Sequence, residues 1–478
     1  MKTALILCPP WDATYSTNGL AVLAASLAEH GHEAGIFDLN QVFARLDECG
    51  AQLETGSTLY TEWRLLPGID RVFEDHQAFL ESTADRILSS GHRVIGFSVY
   101  YSNLAMTLSM ARLFKSRDPS VTIVLGGTEC MEFQKCLELL RNESVDVVVF
   151  GEGDVAFPRF VDGLARSGRP EAGPGVLLRA EPGTWKPASE TVPDLDALPF
   201  ADFKAHRLAQ PVAKVINTTR GCVRRCDFCS EWHWMSFRQM SGRRVHAEFR
   251  RQLQDHPGAT SFFFGDSLIN GTMPKLDAFC EAMNQEPLKA DWRSYAIIRR
   301  EMTGALLGRL RSTGCRTLVY GVQSGSEAVR KIIGNQMLPA VIKAVLADTR
   351  ASDIGTCVTV IAGHPAEKEP DFQESLGFLR ANAPNITLLS LTLFLASEFH
   401  GREDQYGLKP IVHDCFWESK DGSNTFPIRV ERLRRLYREA QACGVVVSFD
   451  GVRSDAPAAN IDLRCAALLE RHRAWAQT

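Results

Sequence analysis

The sequence predicts an α/β protein built from two parallel sheets covered by helices. Short β-branched runs alternate with amphipathic helical stretches from Lys2 onward, which is the pattern of a parallel sheet with helical crossovers. The alternation stops near residue 168 and resumes at Ala213. A chain of 478 residues also exceeds one ordinary core, so two or three domains are expected.

In the first stretch, strands are expected over Thr3–Leu7, Glu33–Asp38, Arg93–Val99, Thr122–Leu125 and Asp146–Phe150. The helices between them include Gly19–His30, Leu104–Lys115, Glu132–Arg141 and Ala156–Ala165. Five such strands suggest a flavodoxin-like, Rossmann-type domain over residues 1–168. Open sheets of this kind bind ligands beyond the C-terminal ends of their strands. Those ends carry Pro9-Pro10-Trp11-Asp12, Tyr100-Tyr101-Ser102-Asn103, Gly126-Gly127-Thr128-Glu129 and Gly151-Glu152-Gly153. One glycine pair is an ordinary turn; repetition at successive strand ends points to a binding edge.

Residues 169–212 change texture to Ser-Gly-Arg-Pro, Gly-Pro-Gly and Pro-Gly, as expected of a linker. Strands then resume at Lys214–Thr218, Ser261–Phe264, Trp292–Ile298, Thr317–Val322, Cys357–Ala362 and Thr387–Leu393. Six strand and helix units make a partial (β/α)6 barrel over residues 213–395. Residues 396–478, with an arginine-rich helical pattern from Arg429 to Ala442, form a small C-terminal segment expected to cap the barrel mouth.

Composition narrows the function. A net charge of −4 gives no electrostatic case for nucleic acid or an anionic membrane. The apolar stretch Ala4–Cys8 is short and ends in Pro9-Pro10, unlike a secretory signal, and no apolar run reaches the roughly 18 to 20 residues that span a bilayer. A cytoplasmic protein is expected. The thirteen cysteines are an odd number and mostly stand alone, which is not a disulfide framework.

One group is clustered. Asn217-Thr-Thr-Arg-Gly-Cys222-Val-Arg-Arg-Cys226-Asp-Phe-Cys229 places three thiols within eight residues, directly after a predicted strand. A structural zinc site wants four ligands, which nearby His233 would complete; a [4Fe–4S] cluster on three cysteines leaves one iron open for a substrate.

This segment resembles the signature of the radical SAM superfamily, C-x3-C-x2-C with an aromatic residue, here Phe228, before the last cysteine. The resemblance implies a [4Fe–4S] cluster on Cys222, Cys226 and Cys229 and S-adenosylmethionine (SAM) across the strand ends. It places Gly265, Asp266 and Ser267 at the SAM amino group, Arg299 at its carboxylate, and Gln323, Ser324 and Gly325 near the ribose. Relatives usually have glutamate where Gln323 stands; the amide keeps hydrogen bonding and loses charge. Gly363-His364-Pro365-Ala366-Glu367 resembles the family's G-x-P-x-E near the adenine.

The first domain resembles the cobalamin-binding domains that precede the barrel in a large subgroup of the superfamily. The likeness runs through Leu5–Pro10, Gly19-Leu20, Gly31-His32-Glu33, Gly126-Gly127 and Gly151-Glu152-Gly153. It implies cobalamin contacts from Pro10, Trp11, Asp12, Tyr100, Tyr101, Ser102, Asn103, Gly126, Gly127, Glu129, Gly151 and Glu152. The D-x-H-x-x-G motif that supplies a histidine to cobalt is absent, Trp11-Asp12-Ala13-Thr14 standing in its place.

With both cofactors, the resemblance implies methyl transfer to an unactivated carbon through a 5′-deoxyadenosyl radical and methylcobalamin. One deoxyadenosine and one S-adenosylhomocysteine per turnover are expected. Some relatives use the same domains for cyclisation, rearrangement or oxidation, so a non-methylating radical reaction stays open. The substrate is a small molecule or peptide; His364, His400, His413, Tyr406 and Trp417 could face it, though packing or a surface position accounts better for each. No second cysteine cluster is present, so electrons must come from an external flavodoxin or ferredoxin.

Overall fold

The structure, a computed structural model, describes residues 1–478 except 12–14, 16, 47–72, 180–187, 209–213, 260, 450–451, 456–459 and 478. It divides into two compact units, residues 1–216 with 247–259 and residues 217–246 with 260–478. Among the described residues, no helix is long and apolar enough to cross a membrane.

The first unit holds strands β1 (Lys2–Leu7), β2 (Glu33–Asp38), β3 (Val94–Ser98), β4 (Thr122–Gly126), β5 (Val147–Val149) and β6 (Val176–Leu178), in the sheet order β2-β1-β3-β4-β5-β6. The first five run parallel and β6 is antiparallel to β5. The helices are α1 (Asn18–Glu29), α2 (Leu39–Leu46), α3 (Gln77–Ser89), α4 (Leu104–Arg117), α5 (Phe133–Leu139) and α6 (Gly153–Ser167). Strands buried on both faces read as unbroken apolar runs, and two cores flank the sheet accordingly. On one side α1 buries Leu20, Ala24 and Leu27, at helical spacing, with Phe157, Phe160 and Val161 of α6. Each buried Leu, Phe or Val side chain among them contributes roughly 1.5–3 kcal/mol.

Much of the stretch expected as a linker is folded. β6 lies in it, and Leu195, Ala201, Phe203 and Ala205 are buried in the core of α1 and α6. Gly173-Pro174-Gly175 turns directly into β6, and this composition is one that turns and linkers share.

The second sheet has strands β7 (Lys214–Ile216), β10 (Ser261–Phe264), β11 (Asp291–Ala296), β12 (Cys315–Gln323), β13 (Gly355–Ala362), β14 (Leu388–Leu393), β15 (Val446–Phe449) and β16 (Val452–Arg453), in the order β16-β15-β14-β13-β12-β11-β10-β7. A separate pair, β8 (Thr219–Arg220) and β9 (Arg238–Gln239), is antiparallel. Strands β10 to β15 are parallel and β16 turns back on β15. The C-terminal segment therefore adds two strands to the expected six. Helices α7 (Gly242–Asp255), α8 (Met273–Gln285), α9 (Gly304–Ser312), α10 (Glu327–Ile333), α11 (Pro339–Ala351), α12 (Glu369–Asn382), α13 (Phe426–Ala442) and α14 (Ile461–Trp475) complete the fold.

Helix α13 is the arginine-rich helix, and two of its arginines are buried. Arg429 donates to Cys415 O at 2.8 Å and Trp417 O at 2.9 Å, with its guanidinium 3.7 Å from the Trp417 ring centroid. Arg432 donates to Glu367 O at 3.0 Å. The helix thus fastens the 415–417 segment and the end of the G-x-P-x-E stretch.

Candidate functional site

The cysteine segment leaves β7 and is gripped at once by the loop after β10. Asn217 Nδ2 donates to Gly265 O at 3.1 Å. Asp266 accepts the Thr218 and Thr219 amides on Oδ1 at 2.6 and 2.8 Å, and the Thr218 hydroxyl on Oδ2 at 2.5 Å. Burial pushes this carboxyl up to about 7, against the pull of those donors. Pairing of β8 with β9 then closes the segment into a lobe. Gly221 turns inside it at φ +71, where a Cβ would stand 2.6 Å from Met235 O.

Cys222, Cys226 and Cys229 follow, all half-buried. The Arg224 amide donates to Cys222 Sγ at 3.4 Å; the Cys229 amide and Trp232 Nε1 donate to Cys226 O at 3.1 and 3.0 Å. Burial, with the two neighbouring thiols adding, pushes Cys226 up to about 12. Burial likewise brings Cys229 to about 11. Thiols crowded together out of water need a cation to become thiolates, and an iron cluster supplies one. Among the described residues, no three His, Cys, Asp or Glu side chains converge on one metal-ion position. A cubane takes its three thiolates on three different irons and asks for no such convergence. His233, the fourth ligand of the zinc reading, lies against Trp232 with ring centroids 3.5 Å apart. The donor set fits the cluster.

Behind the thiols, buried Asp227 accepts from His364 Nε2 at 3.1 Å, while His364 Nδ1 accepts the Ala366 amide at 3.2 Å. The second bond leaves the ring proton on Nε2. Phe228 packs on a cluster of Phe394, Ala396, Phe399, Leu408 and Trp417.

At the C-terminal edge of the first sheet, Trp11 and Tyr100 stack with centroids 3.8 Å apart. Asn103 donates to Cys8 O and Ser98 O at 3.1 and 3.2 Å and accepts the Tyr100 amide at 2.9 Å. Ser102 donates to Pro10 O at 2.9 Å. Gly127, at φ +104, comes so near β3 that a Cβ would lie 2.8 Å from Val99 N. The edge is a shaped cradle with aromatic and small residues at its surface, which suits a flat macrocycle.

Residues 216–379 match the family model of the radical SAM superfamily, and residues 67–161 match that of the B12 binding domain. The chain carries a B12-binding domain followed by a radical SAM domain. It is 31% identical over 219 residues to the hopanoid C-3 methylase of Methylococcus capsulatus, covering 44% of this chain and 41% of the methylase. In fold it is similar to TsrM, a radical S-adenosylmethionine methyltransferase from Kitasatospora setae solved with tryptophan substrate and a SAM analogue: TM-score 0.67, 15% identity, 98% of this chain and 96% of that one. It is also similar to OxsB, a cobalamin-dependent S-adenosylmethionine radical enzyme solved with aqua-cobalamin and S-adenosylmethionine, with TM-score 0.61, 18% identity, and coverage of 80% of this chain and 52% of that one. The chain thus spans about half the length of the methylase and of OxsB.

In the radical SAM domain the residues expected at SAM fall into two sets. Gly265, Ser267 and Gln323 are at least partly exposed at strand ends. Asp266 and Ser324 are buried and already bonded: Ser324 Oγ accepts the Ser326 amide at 3.1 Å and contacts Ser375 Oγ at 3.4 Å. Arg299 donates to Asn270 O at 2.7 Å and Gly271 O at 3.1 Å, so it shapes the turn after β10. Glu367 is buried and accepts the Gly363 amide at 3.1 Å. His400 pairs with Asp414 at 2.7 Å, and Arg402 donates to the Tyr406 hydroxyl at 2.8 Å. His413 stacks on Phe416 and accepts the Cys415 amide on Nδ1 at 3.0 Å.

In the B12-binding domain, Asp12 lies outside the described residues. Pro10, Trp11 and Tyr100 are half-buried, while Tyr101 is 48% exposed. Gly126 and Gly127 are accessible, Gly151 is buried, and Glu129 lies 3.6 Å from Lys135. Glu152 accepts the Val192 amide at 2.8 Å, a structural use of that carboxylate. Sequence reasoning missed Asp38 and Asn40. Burial raises Asp38 to about 7 and, among the described residues, its Oδ2 has no partner; Asn40 accepts the Trp11 amide at 2.8 Å and, among the described residues, its Nδ2 has none. Their position just at and after the end of β2 was the available signal.

Proposed function

We propose that the protein is a cobalamin-dependent radical SAM methyltransferase acting on an unactivated carbon. The observation that carries the reading is the three-thiol lobe, fastened by Asp266 to a parallel sheet, in a chain that also carries a B12-binding domain. Cys222, Cys226 and Cys229 would hold the cluster; Gly265, Ser267 and Gln323 lie where SAM would be bound, and the Trp11–Tyr100 edge where the corrin would rest. Bound there, the cluster with SAM supplies a hydrogen-abstracting adenosyl radical and cobalamin supplies the methyl group. The chain's own work is to fix the three thiols and present a strand-end surface. The hopanoid methylase likeness supports a small-molecule substrate. The lone cysteines outside the lobe support an external one-electron donor, and the lack of a disulfide among the twelve described cysteines supports a cytoplasmic location.

The test is anaerobic reconstitution with iron and cobalamin quantitation, on wild type beside a Cys222, Cys226 and Cys229 to Ala triple variant, followed by product analysis. Iron lost only in the variant, cobalamin retained in both, and deoxyadenosine formed together with S-adenosylhomocysteine is the expected result. Deoxyadenosine without S-adenosylhomocysteine would reject methyl transfer in favour of another radical reaction.

A further inference from the structure

Beside the thiols, the lobe presents a surface with an unbalanced charge. The chain is acidic overall, with a net charge of −4, yet residues 217–246 contain Arg220, Arg224, Arg225, Arg238, Arg243 and Arg244 against only Asp227 and Glu231. Asp227 is turned inward to His364, and Glu231 opens the short helical turn Glu231–Trp234 two residues after Cys229. Beside Cys222 and Cys226 this leaves Arg224 and Arg225 as cations without an ion pair among the described residues.

The end of α10 sits against this face. The Asp227 amide donates to Ile333 O at 3.1 Å, and Gly334 approaches so closely that a Cβ would meet Arg225 O at 2.9 Å. Lys331 and Ile332 of that helix end are exposed, as are Val223 and Arg225 of the segment the helix end meets. Val223 is 44% and Ile332 52% exposed, large apolar side chains with no core to join. Among the described residues, Arg224, Arg225 and Lys331 form no ion pair; Arg225 rests over the Trp232 ring at 5.7 Å. Cations kept unpaired around a small apolar centre match an acidic rim around an apolar centre on a partner.

The geometry points to this surface as the docking site of a reduced flavodoxin, the inference resting on the proposed cluster at Cys222, Cys226 and Cys229. Val223 and Arg225 are the chain neighbours of Cys222 and Cys226, so a carrier seated here lies one side chain from the thiols. Flavodoxin fits because the exposed edge of its flavin is apolar and acids surround it. The transfer moves one electron and no proton: the flavin hydroquinone anion becomes the neutral semiquinone, and the cluster goes from the 2+ to the 1+ state.

Two arms test this on the full-length chain. In the first, binding of flavodoxin to wild type and to the Arg225→Glu/Lys331→Glu double variant is titrated at low and high salt, with Lys331→Glu alone as the variant farthest from the cysteines. Wild-type binding that weakens with salt, and falls about tenfold or more on charge reversal, is expected. In the second, reconstituted protein is reduced by flavodoxin hydroquinone or by a neutral photoreductant, and deoxyadenosine is counted. The variants should slow only the flavodoxin-driven reaction. Salt-independent binding, unchanged affinity on charge reversal, or an equal loss with both reductants would overturn the docking site. So would tighter binding of a plant-type ferredoxin than of flavodoxin. A wild type inert even to the photoreductant refutes the enzymatic reading instead, and the binding arm still decides the surface.

Discussion

The Asp266 carboxylate accepts the Thr218 amide at 2.6 Å while its other oxygen takes the Thr218 hydroxyl. A residue expected to hold the SAM amino group is thus occupied with fixing the entry to the cysteine lobe. Asp266→Ala would strand two buried amides and a hydroxyl, each costing about 1–3 kcal/mol. Cluster affinity should fall about 10- to 100-fold, as it does when groups that orient metal ligands are removed. Asp266→Asn keeps an acceptor for both amides and should retain iron. Iron content after anaerobic desalting checks both variants; equal retention would show that the clamp is dispensable.

Gly221 offers a second, independent way to disturb the same lobe. Its φ of +71 and the nearness of Met235 O and Ser236 O, 2.6 and 2.8 Å from an added Cβ, leave a side chain neither conformation nor room. Gly221→Ala should cost more than about 1 kcal/mol and lower both the melting temperature and iron retention. Gly258, where nothing lies within 4 Å of a Cβ, is the control position. Gly258→Ala should leave both readouts alone.

The legible parts of this protein were those encoded locally. C-x3-C-x2-C states its chemistry through spacing, and buried parallel strands such as Val94–Ser98 announce themselves as apolar runs. What stayed hidden depends on contacts distant in sequence. β6 is three residues long, directly after Gly175, and only its partner β5 makes it a strand. Arg429 reads as a solvated helix residue until Cys415 O, Trp417 O and the Trp417 ring are placed around it. Asp266 looks the same in sequence whether its carboxylate faces a ligand or a loop 48 residues earlier.

His206 gives the first unit an acid-sensitive point. It is 6% exposed and, among the described residues, neither ring nitrogen has a partner; burial first, then the charges of Lys214, His256 and Arg207, push it down to about 4. Because the folded value is depressed from about 6.5, the unfolded chain binds a proton that the folded chain refuses between those values. Stability must therefore fall as pH drops from about 6.5 to 4, by on the order of 3 kcal/mol from this residue. Urea unfolding of wild type and His206→Phe should show a difference that grows in the variant's favour from pH 7 to pH 4.5. A pH-independent difference would rule out His206 as the source.

Gln323 occupies the left-handed region at φ +69, where the register of β12 against β13 shifts between Gly321 and Gln323. A non-glycine residue pays roughly 1–2 kcal/mol there. Strain kept at the end of a strand, at the position proposed for the SAM ribose, suggests that the side chain earns its place by binding. Two substitutions separate backbone from side chain. Gln323→Gly relieves the strain and, after the entropy glycine gains in the unfolded chain, should raise stability by up to about 1 kcal/mol. Gln323→Ala keeps the strain and should leave stability within about 0.5 kcal/mol. Both lose the amide, so both should bind SAM more weakly than wild type by calorimetric titration of reconstituted protein. Weaker binding in Gln323→Gly alone would mean that the backbone shape, and not the amide, serves the ligand; unchanged binding in both would free Gln323 from the site.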